Sequence, residues 1–131
     1  MDFINLFERF NTGGKLLLPT GGADFADISW SRHPIFVGVE LKHLITSMDT
    51  NGRFSYHLVR IAPNKSIGDH IHKEQAETHE VIAGSGVCVN NGVRLEYEPG
   101  VVSIFPPNLP HEVHAGGNGL FLFAKFIPAL T

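Results

Sequence analysis

Short apolar runs separated by turn residues dominate the chain after Pro34. The runs are rich in branched and aromatic residues, and several alternate apolar with polar positions, as half-buried strands do. They read IFVGVELKHLI, FSYHLVRIA, THEVIAG, SGVCV, VRLEY, VVSIF, HEVHA and LFLFAKFI. Asn91-Gly92 lies between two of these runs and predicts a two-residue hairpin, and Asn51-Gly52 predicts a second. Many short strands without a second helical segment predict an all-β sandwich or barrel over residues 34–131.

The first 33 residues have a different character. Four apolar residues there fall at helical spacing and predict a short amphipathic helix docked on the core. They are Phe3, Leu6, Phe7 and Phe10. Residues 19–34 are rich in Gly, Asp and Ser and predict a loop. Because 131 residues fit one domain, we expect an N-terminal helix and loop extension over 1–33, followed by the barrel over 34–131.

Composition and charge narrow the class of protein. The formal net charge is -3 and no run of Lys or Arg exists, so we expect no nucleic-acid partner. No apolar run approaches the ~18 residues that a membrane helix needs, so we expect no membrane partner. Cys88 is the single cysteine, which excludes an intrachain disulfide and a Cys-rich zinc site. The start, MDFINLFERF, does not resemble a signal peptide, so we expect a cytoplasmic protein.

Histidines and glutamates gather in the stretch GDHIHKEQAETHEVIAGSG at residues 68–86. On a strand, His70 and His72 point to the same face, and Glu77 and His79 share a face on the next stretch. His111 begins a further strand, and a small barrel can bring such groups to one point. Two or three imidazoles with one carboxylate form a transition-metal site. Imidazole suits Zn, Fe, Ni or Cu and carboxylate suits Mn or Fe, so one divalent ion is expected without a choice among these metals.

The spacing of these residues resembles the two sequence motifs of the cupin family. The first motif reads G-x5-H-x-H-x(3,4)-E-x6-G, and the chain has N-x5-HIH-x4-E-x6-G over residues 64–84. The second reads G-x5-P-x-G-x2-H-x3-N, and the chain has G-x5-P-x-N-x2-H-x3-A over residues 100–115. Asn64 and Asn108 replace motif glycines, but asparagine tolerates positive φ, so we expect both turns to survive. Ala115 replaces the final Asn of the second motif.

The resemblance covers about residues 34–127 and implies a small single-domain, metal-binding cupin with a jelly-roll β-barrel. It also implies one metal ion, and similar cupins usually pair as homodimers through edge strands. The ligands that it implies are His70, His72, Glu77 and His111.

Three further residues are candidates for contact with a substrate. His79 should face the same cavity as Glu77, where it would act as an acid–base group or substrate contact, or else hydrogen-bond to Glu77. Tyr56 and Arg60 share one register of the strand FSYHLVRI, and His57 and Val59 share the other. The sequence does not decide which set lines the barrel. If it is the first, Arg60 would bind a substrate carboxylate or phosphate, although a surface role for Arg60 fits the pattern as well.

Two functions remain open at this point. The first is a metal-dependent enzyme of isomerase, lyase or dioxygenase type, acting on a small sugar or keto-acid-like molecule, as similar single-domain cupins do. The second is a non-catalytic barrel that binds or senses a small ligand. Regulators of that kind carry a fused DNA-binding helical domain, and no helix-turn-helix is visible in this sequence, which favours the enzyme. A purely structural barrel would not require four metal ligands.

Overall fold

The structure, a computed structural model, describes residues 6–131 and consists mainly of strands. Its short helical segments are α1 (Leu6–Glu8), a π-helical turn (Arg9–Gly13), a 3-10 turn (Phe25–Asp27) and α2 (Ser47–Thr50). The strands are β1 (Lys15–Leu18), β2 (Gly21–Asp24), β3 (Ser31–Arg32), β4 (Val39–Ile45), β5 (Ser55–Ile61), β6 (Ser66–His70), β7 (Ala76–Asn90), β8 (Val93–Tyr97), β9 (Val102–Phe105) and β10 (His111–Ile127). The all-β prediction with a short N-terminal helix is confirmed, and Phe3 lies outside the described residues.

Two long strands, β7 and β10, pair antiparallel in the middle of the strand order of the barrel wall. The first half of β7 pairs with β9 and with the second half of β10, which also pairs with β5. The second half of β7 pairs with β8 and with the first half of β10, which also pairs with β6. The register shifts between these halves, where Gly84 has a φ of +81° and a Cβ would collide with the Gly119 carbonyl. The two long strands therefore belong to both facing sheets of a jelly roll.

The core has two parts, one on each face of the sheet that contains β4, β5 and the second half of β10. Inside the barrel, inward residues such as Val59, Leu122 and Val113 are almost completely buried. On the outer face, Leu58 and Phe123 pack against Phe7 and Phe10 of the N-terminal segment. The Phe10 and Phe123 rings meet edge to face at 4.9 Å. The predicted docking of an amphipathic N-terminal segment is thus seen in its described part.

The N-terminal segment has more strand structure than its composition suggests. Strands β1 and β2 form a hairpin, and β3 pairs with β4 of the main sheet. The predicted loop over 19–34 is therefore wrong in these parts, and the main sheet already begins at Ser31, before residue 34. The glycines and aspartate of β2 made it resemble a loop in the sequence. The strand is exposed along its whole length, so it lacks the apolar alternation by which strands are predicted. Within residues 6–131, no helix has the length and apolar character needed to cross a membrane.

The asparagine turns follow from local chemistry. Asn91 and Gly92 connect β7 to β8 with φ of 48° and 82°, as the predicted hairpin requires. Asn51 has a φ of 54° but ends α2 as its left-handed cap, so that connection is a capped helical turn between β4 and β5. Asn64 and Asn108 have φ of 61° and 68°. They adopt the conformation that the motif glycines would have supplied, as predicted.

Candidate metal centre and cavity

Four side chains converge at one end of the barrel. Each offers one ligand atom, and these atoms all lie within 4.8 Å of one another. They belong to His70, His72, Glu77 and His111. His70 ends β6 and lies opposite His111 at the start of β10, while Glu77 enters from the first half of β7 and His72 from the following loop. The sequence motif thus names residues that the fold brings together.

Hydrogen bonds orient the ligand atoms toward a common point. The Nδ1–H of His70 donates to the Gly68 carbonyl at 2.8 Å, which leaves Nε2 free to bind a metal. Glu77 Oε1 lies 3.0 Å from His111 Nε2 and 3.5 Å from His72 Nε2. These short separations between would-be ligand atoms are the expected geometry of a site whose donors point at one ion. The residues therefore fit a single metal.

The electrostatics of the cluster favour the protonation states that a metal needs. Burial would raise the pKa of Glu77, but the neighbouring His79 and His111 outweigh it and hold that pKa well below its usual range. Burial lowers the pKa of His70 and of His72, which keeps both imidazoles neutral. A carboxylate with neutral imidazoles is a donor set for divalent Fe, Mn, Ni, Zn or Cu.

His79 is engaged at both ring nitrogens. Its Nε2–H donates to Glu77 Oε2 at 2.9 Å, and the Tyr97 hydroxyl donates to its Nδ1 at 3.0 Å. Burial raises the pKa of Tyr97, so the phenol keeps the proton that it donates. Of the alternatives that the sequence left open, this geometry fits a residue that orients Glu77. Sequence reasoning missed Tyr97, because its contact with His79 depends on how β7 and β8 curl around the core.

A cavity of about 390 Å³ opens beside the cluster. Its walls include His70, His72, Glu77 and His79. Most of the other lining side chains are apolar: Val39, Leu41, Val59, Ile67, Val113, Phe126 and Leu130. Beyond the cluster and His79, the polar side chains of the lining are Ser31, Arg32, His33, His43 and Thr131. The space suits a small organic molecule with one polar end at the cluster.

Strand β5 presents His57 and Val59 to the barrel interior, with exposures of 0% and 3%. Tyr56 and Arg60 lie on the opposite face, where Tyr56 stacks on Phe123 and Arg60 pairs with Glu40 at 3.0 Å. Neither Tyr56 nor Arg60 lines the cavity, so the geometry does not support them as substrate contacts. The N-terminal segment decides this placement, because it covers the outer face of β5 with aromatic side chains, and the Trp30 ring lies 4.0 Å from the Arg60 guanidinium.

Sequence reasoning also missed His43. This half-buried residue on β4 lies opposite His57 on β5, and the two Nδ1 atoms are 2.8 Å apart. The alternation of apolar and polar positions in IFVGVELKHLI would have placed His43 on the face of Val39 and Leu41 once that face was known to be inward. His114 extends outward, bonding Ser66 at 2.7 Å, and Cys88 is fully buried.

Several solved structures share this architecture. A predicted oxalate decarboxylase from Thermotoga maritima matches with a TM-score of 0.72 and 24% identity, covering 79% of this chain and 95% of that chain. The polyketide cyclase RemF from Streptomyces resistomycificus matches with a TM-score of 0.66 and 26% identity over 78% and 74%. Ectoine synthase from P. lautus matches with a TM-score of 0.63 and 19% identity over 72% and 67%. These likenesses show the fold.

The family follows from the sequence comparison. No curated protein matches the chain. The model of the Cupin domain, Cupin_2, matches residues 57–123, a span that includes all four residues of the cluster. With the jelly-roll barrel and the cluster in place, the chain belongs to the cupin family.

Proposed function

We propose that the protein is a metal-dependent enzyme that acts on a small sugar or keto-acid-like molecule by an isomerase, lyase or dioxygenase type of reaction. The observation that carries this proposal is the convergence of four ligand atoms within 4.8 Å at the wall of a largely apolar cavity. Apolar walls exclude water and strengthen the electrostatic effect of a bound ion on a substrate.

The residues that would hold the ion are the four of the cluster. With three neutral imidazoles and one carboxylate, a divalent ion would keep one positive charge and favour an anionic or chelating oxygen group. Once bound, it would supply Lewis-acid chemistry by polarising a carbonyl oxygen. The chain's own residues hold Glu77 in place through His79 and Tyr97, and Val113 and Phe126 give the cavity apolar walls.

The names of the structural relatives support chemistry on small organic molecules. They include a predicted oxalate decarboxylase, a polyketide cyclase and an ectoine synthase. These proteins differ in reaction, so they support the class of ligand more than any one transformation. The partner we propose is accordingly a small molecule.

A barrel that binds or senses a ligand without converting it is the competing function. The two differ in what happens after binding. We expect the metal-loaded protein to convert members of a panel of sugars and keto acids, detected by oxygen uptake and by NMR of the products. Binding of panel members by the metal-loaded protein without any turnover would favour the sensor.

Metal analysis tests the centre itself. We expect the purified wild type to take up about one divalent ion per chain, and His72→Ala to lose most of it, because a missing ligand weakens a site of this kind by at least 10–100-fold. His114→Ala is the matched control, since His114 is an exposed histidine and should leave occupancy unchanged. Equal metal content in His72→Ala and the wild type would contradict the assignment.

We also propose that two copies of the chain pair as a homodimer through the outer face of β9. Val102 and Ile104 are 67% and 63% exposed there, and their neighbours on the adjacent strand are Glu80 and Thr78. Exposed β-branched side chains on an edge strand favour association with another surface of the same kind.

A further inference from the structure

A chain of buried and half-buried hydrogen bonds leads from the backbone to the cavity on the wall formed by β4 and β5. The Leu130 N–H donates to Ser55 Oγ at 2.9 Å. Ser55 Oγ lies 2.8 Å from His57 Nε2, and His57 Nδ1 lies 2.8 Å from His43 Nδ1. Ser55 and His57 are fully buried, and His43 lines the cavity. Within residues 6–131, His43 Nε2 has no hydrogen-bonding partner.

The need to satisfy each buried donor determines which atom carries the proton in each of these hydrogen bonds. Ser55 Oγ already accepts from Leu130, and the only acceptor for its own proton among the described residues is His57 Nε2. A buried hydroxyl proton without an acceptor is costly, so Ser55 donates to His57. The proton of His57 then sits on Nδ1 and is donated to His43 Nδ1. His43 consequently carries its own proton on Nε2, directed away from His57.

The surroundings keep both rings neutral. Burial, and to a smaller extent His43, lower the pKa of His57 to about 4, against the raising effect of Glu77. Burial also lowers the pKa of His43. Each donor in the chain polarises the next in the same direction, which strengthens the last N–H as a hydrogen-bond donor.

His43 and the metal cluster lie at different places on the cavity wall. Cross-strand pairing places His43, His57, Ala124 and His79 in one row across four strands. Three strand spacings separate His43 from His79, about 14 Å along the sheet, and this distance shortens across the curled barrel. The Phe126 ring lies between the two polar groups, 5.6 Å from His57 and 5.1 Å from His72. A ligand that contacts both His43 and the metal cluster must therefore have two polar groups separated by several carbon–carbon bonds.

We propose that His43 is a second recognition point of the cavity, whose Nε2–H donates to an oxygen acceptor on a ligand bound at its other end by the His70, His72, Glu77 and His111 centre. This assignment rests on the proposed function and narrows its ligand. The ligand class is a small molecule with a metal-binding carboxylate or similar head and a distal carbonyl, carboxylate or hydroxyl oxygen. Ser55 and His57 are positioning residues that act through His43.

The protonation pattern is testable without any metal. Long-range proton–nitrogen NMR spectra of the metal-free protein should show His57 protonated at Nδ1 and His43 at Nε2. Ser55→Ala should abolish this pattern at both rings while the chain remains folded. Ser66→Ala is the matched control, because it removes a serine from the exposed His114 and should alter only that ring. A wild-type His43 protonated at Nδ1 would overturn the proposal.

Ligand recognition is tested with matched probes on the cobalt-loaded protein. The probes are straight-chain carboxylic acids of five to seven carbons. Each acid is compared with a keto acid of equal length that has its ketone on the carbon before the terminal methyl group, far from the carboxylate. At the chain length that binds most tightly, the wild type should bind the keto acid about 3- to 10-fold more tightly than the plain acid of the same length, which is the gain expected from one hydrogen bond. His43→Leu should lose this preference, and His43→Gln, which keeps an N–H donor, should retain part of it.

The outcomes separate the two proposals. An equal preference for the keto acid in the wild type and in His43→Leu would overturn the role of His43, while binding of the plain acids would leave the metal centre standing. Failure of the wild type to retain cobalt would contradict the proposed function and, with it, a ligand that bridges from the centre to His43.

Discussion

His57 is a fully buried histidine that the fold keeps neutral. Burial is the main cause that lowers its pKa from 6.5 to about 4. Between these two values the unfolded chain binds a proton that the folded chain does not, so the free energy of unfolding decreases as pH falls through this range. The loss begins as pH falls to about 6.5 and amounts to about 3 kcal/mol by the time pH reaches 4.

We therefore expect the metal-free wild type to lose stability steeply between pH 6.5 and pH 4 in denaturant titrations. His57→Gln should start from a lower stability, because the Ser55 and His43 contacts change, but should lose markedly less over the same interval. His114→Gln, which alters an exposed ring, serves as the control and should follow the wild-type slope. An identical slope in His57→Gln and the wild type would show that His57 does not titrate in this way.

Lys42 joins the N-terminal segment to strand β4 of the barrel. It is 2% exposed and extends from the outer face of β4 to donate to the carbonyls of Asn11 and Phe25 at 2.6 and 2.7 Å. Burial lowers its pKa, with a smaller effect from Arg60. The cation is satisfied by backbone oxygens, which ties two separate turns of the N-terminal segment to one strand.

Lys42→Met should release these turns while keeping a side chain of similar length. The half-buried Asn11 carbonyl would lose this donor, and the Phe25 carbonyl would keep only the Ile28 N–H. This should lower the free energy of unfolding by about 1–3 kcal/mol and speed amide hydrogen exchange in residues 6–30. Lys15→Met is the matched control. The Lys15 pair with Asp24 is 3.5 Å long and mostly exposed, so its loss should change stability by less than about 1 kcal/mol. Equal exchange in both variants would contradict the role of Lys42.

The elements that local chemistry defines were predictable from the sequence. The Asn91-Gly92 hairpin and the positive φ of Asn64 and Asn108 follow from residue type alone. The four ligands followed from motif spacing. The face of β5 that lines the barrel was not predictable, because both of its registers contain apolar and polar residues. The choice between them depends on aromatic side chains of the N-terminal segment, such as Phe10, that lie more than 30 positions away in the sequence. The His43–His57 pair likewise depends on strand register, which long-range pairing sets.

The exposed apolar side chains of β9 bear on how copies of the protein associate. If two copies pair through β9, Val102→Asp should convert the dimer to a monomer in light scattering at tens of micromolar protein, because it places a charge in an apolar contact. Val93 on β8 is equally exposed, at 67%, and Val93→Asp should leave the association unchanged. A wild type that is monomeric at this concentration would rule out the pairing.

The four ligand residues come from both of the facing sheets. Glu77 lies in the half of β7 that pairs with β9, whereas His111 lies in the half of β10 that pairs with β6. An ion held by both would cross-link the sheets at one mouth of the barrel, as a disulfide does in a secreted domain. Binding of the ion and the close packing of the two sheets would then be thermodynamically linked. Removing the ion with a chelator would therefore lower the free energy of unfolding of the metal-loaded chain.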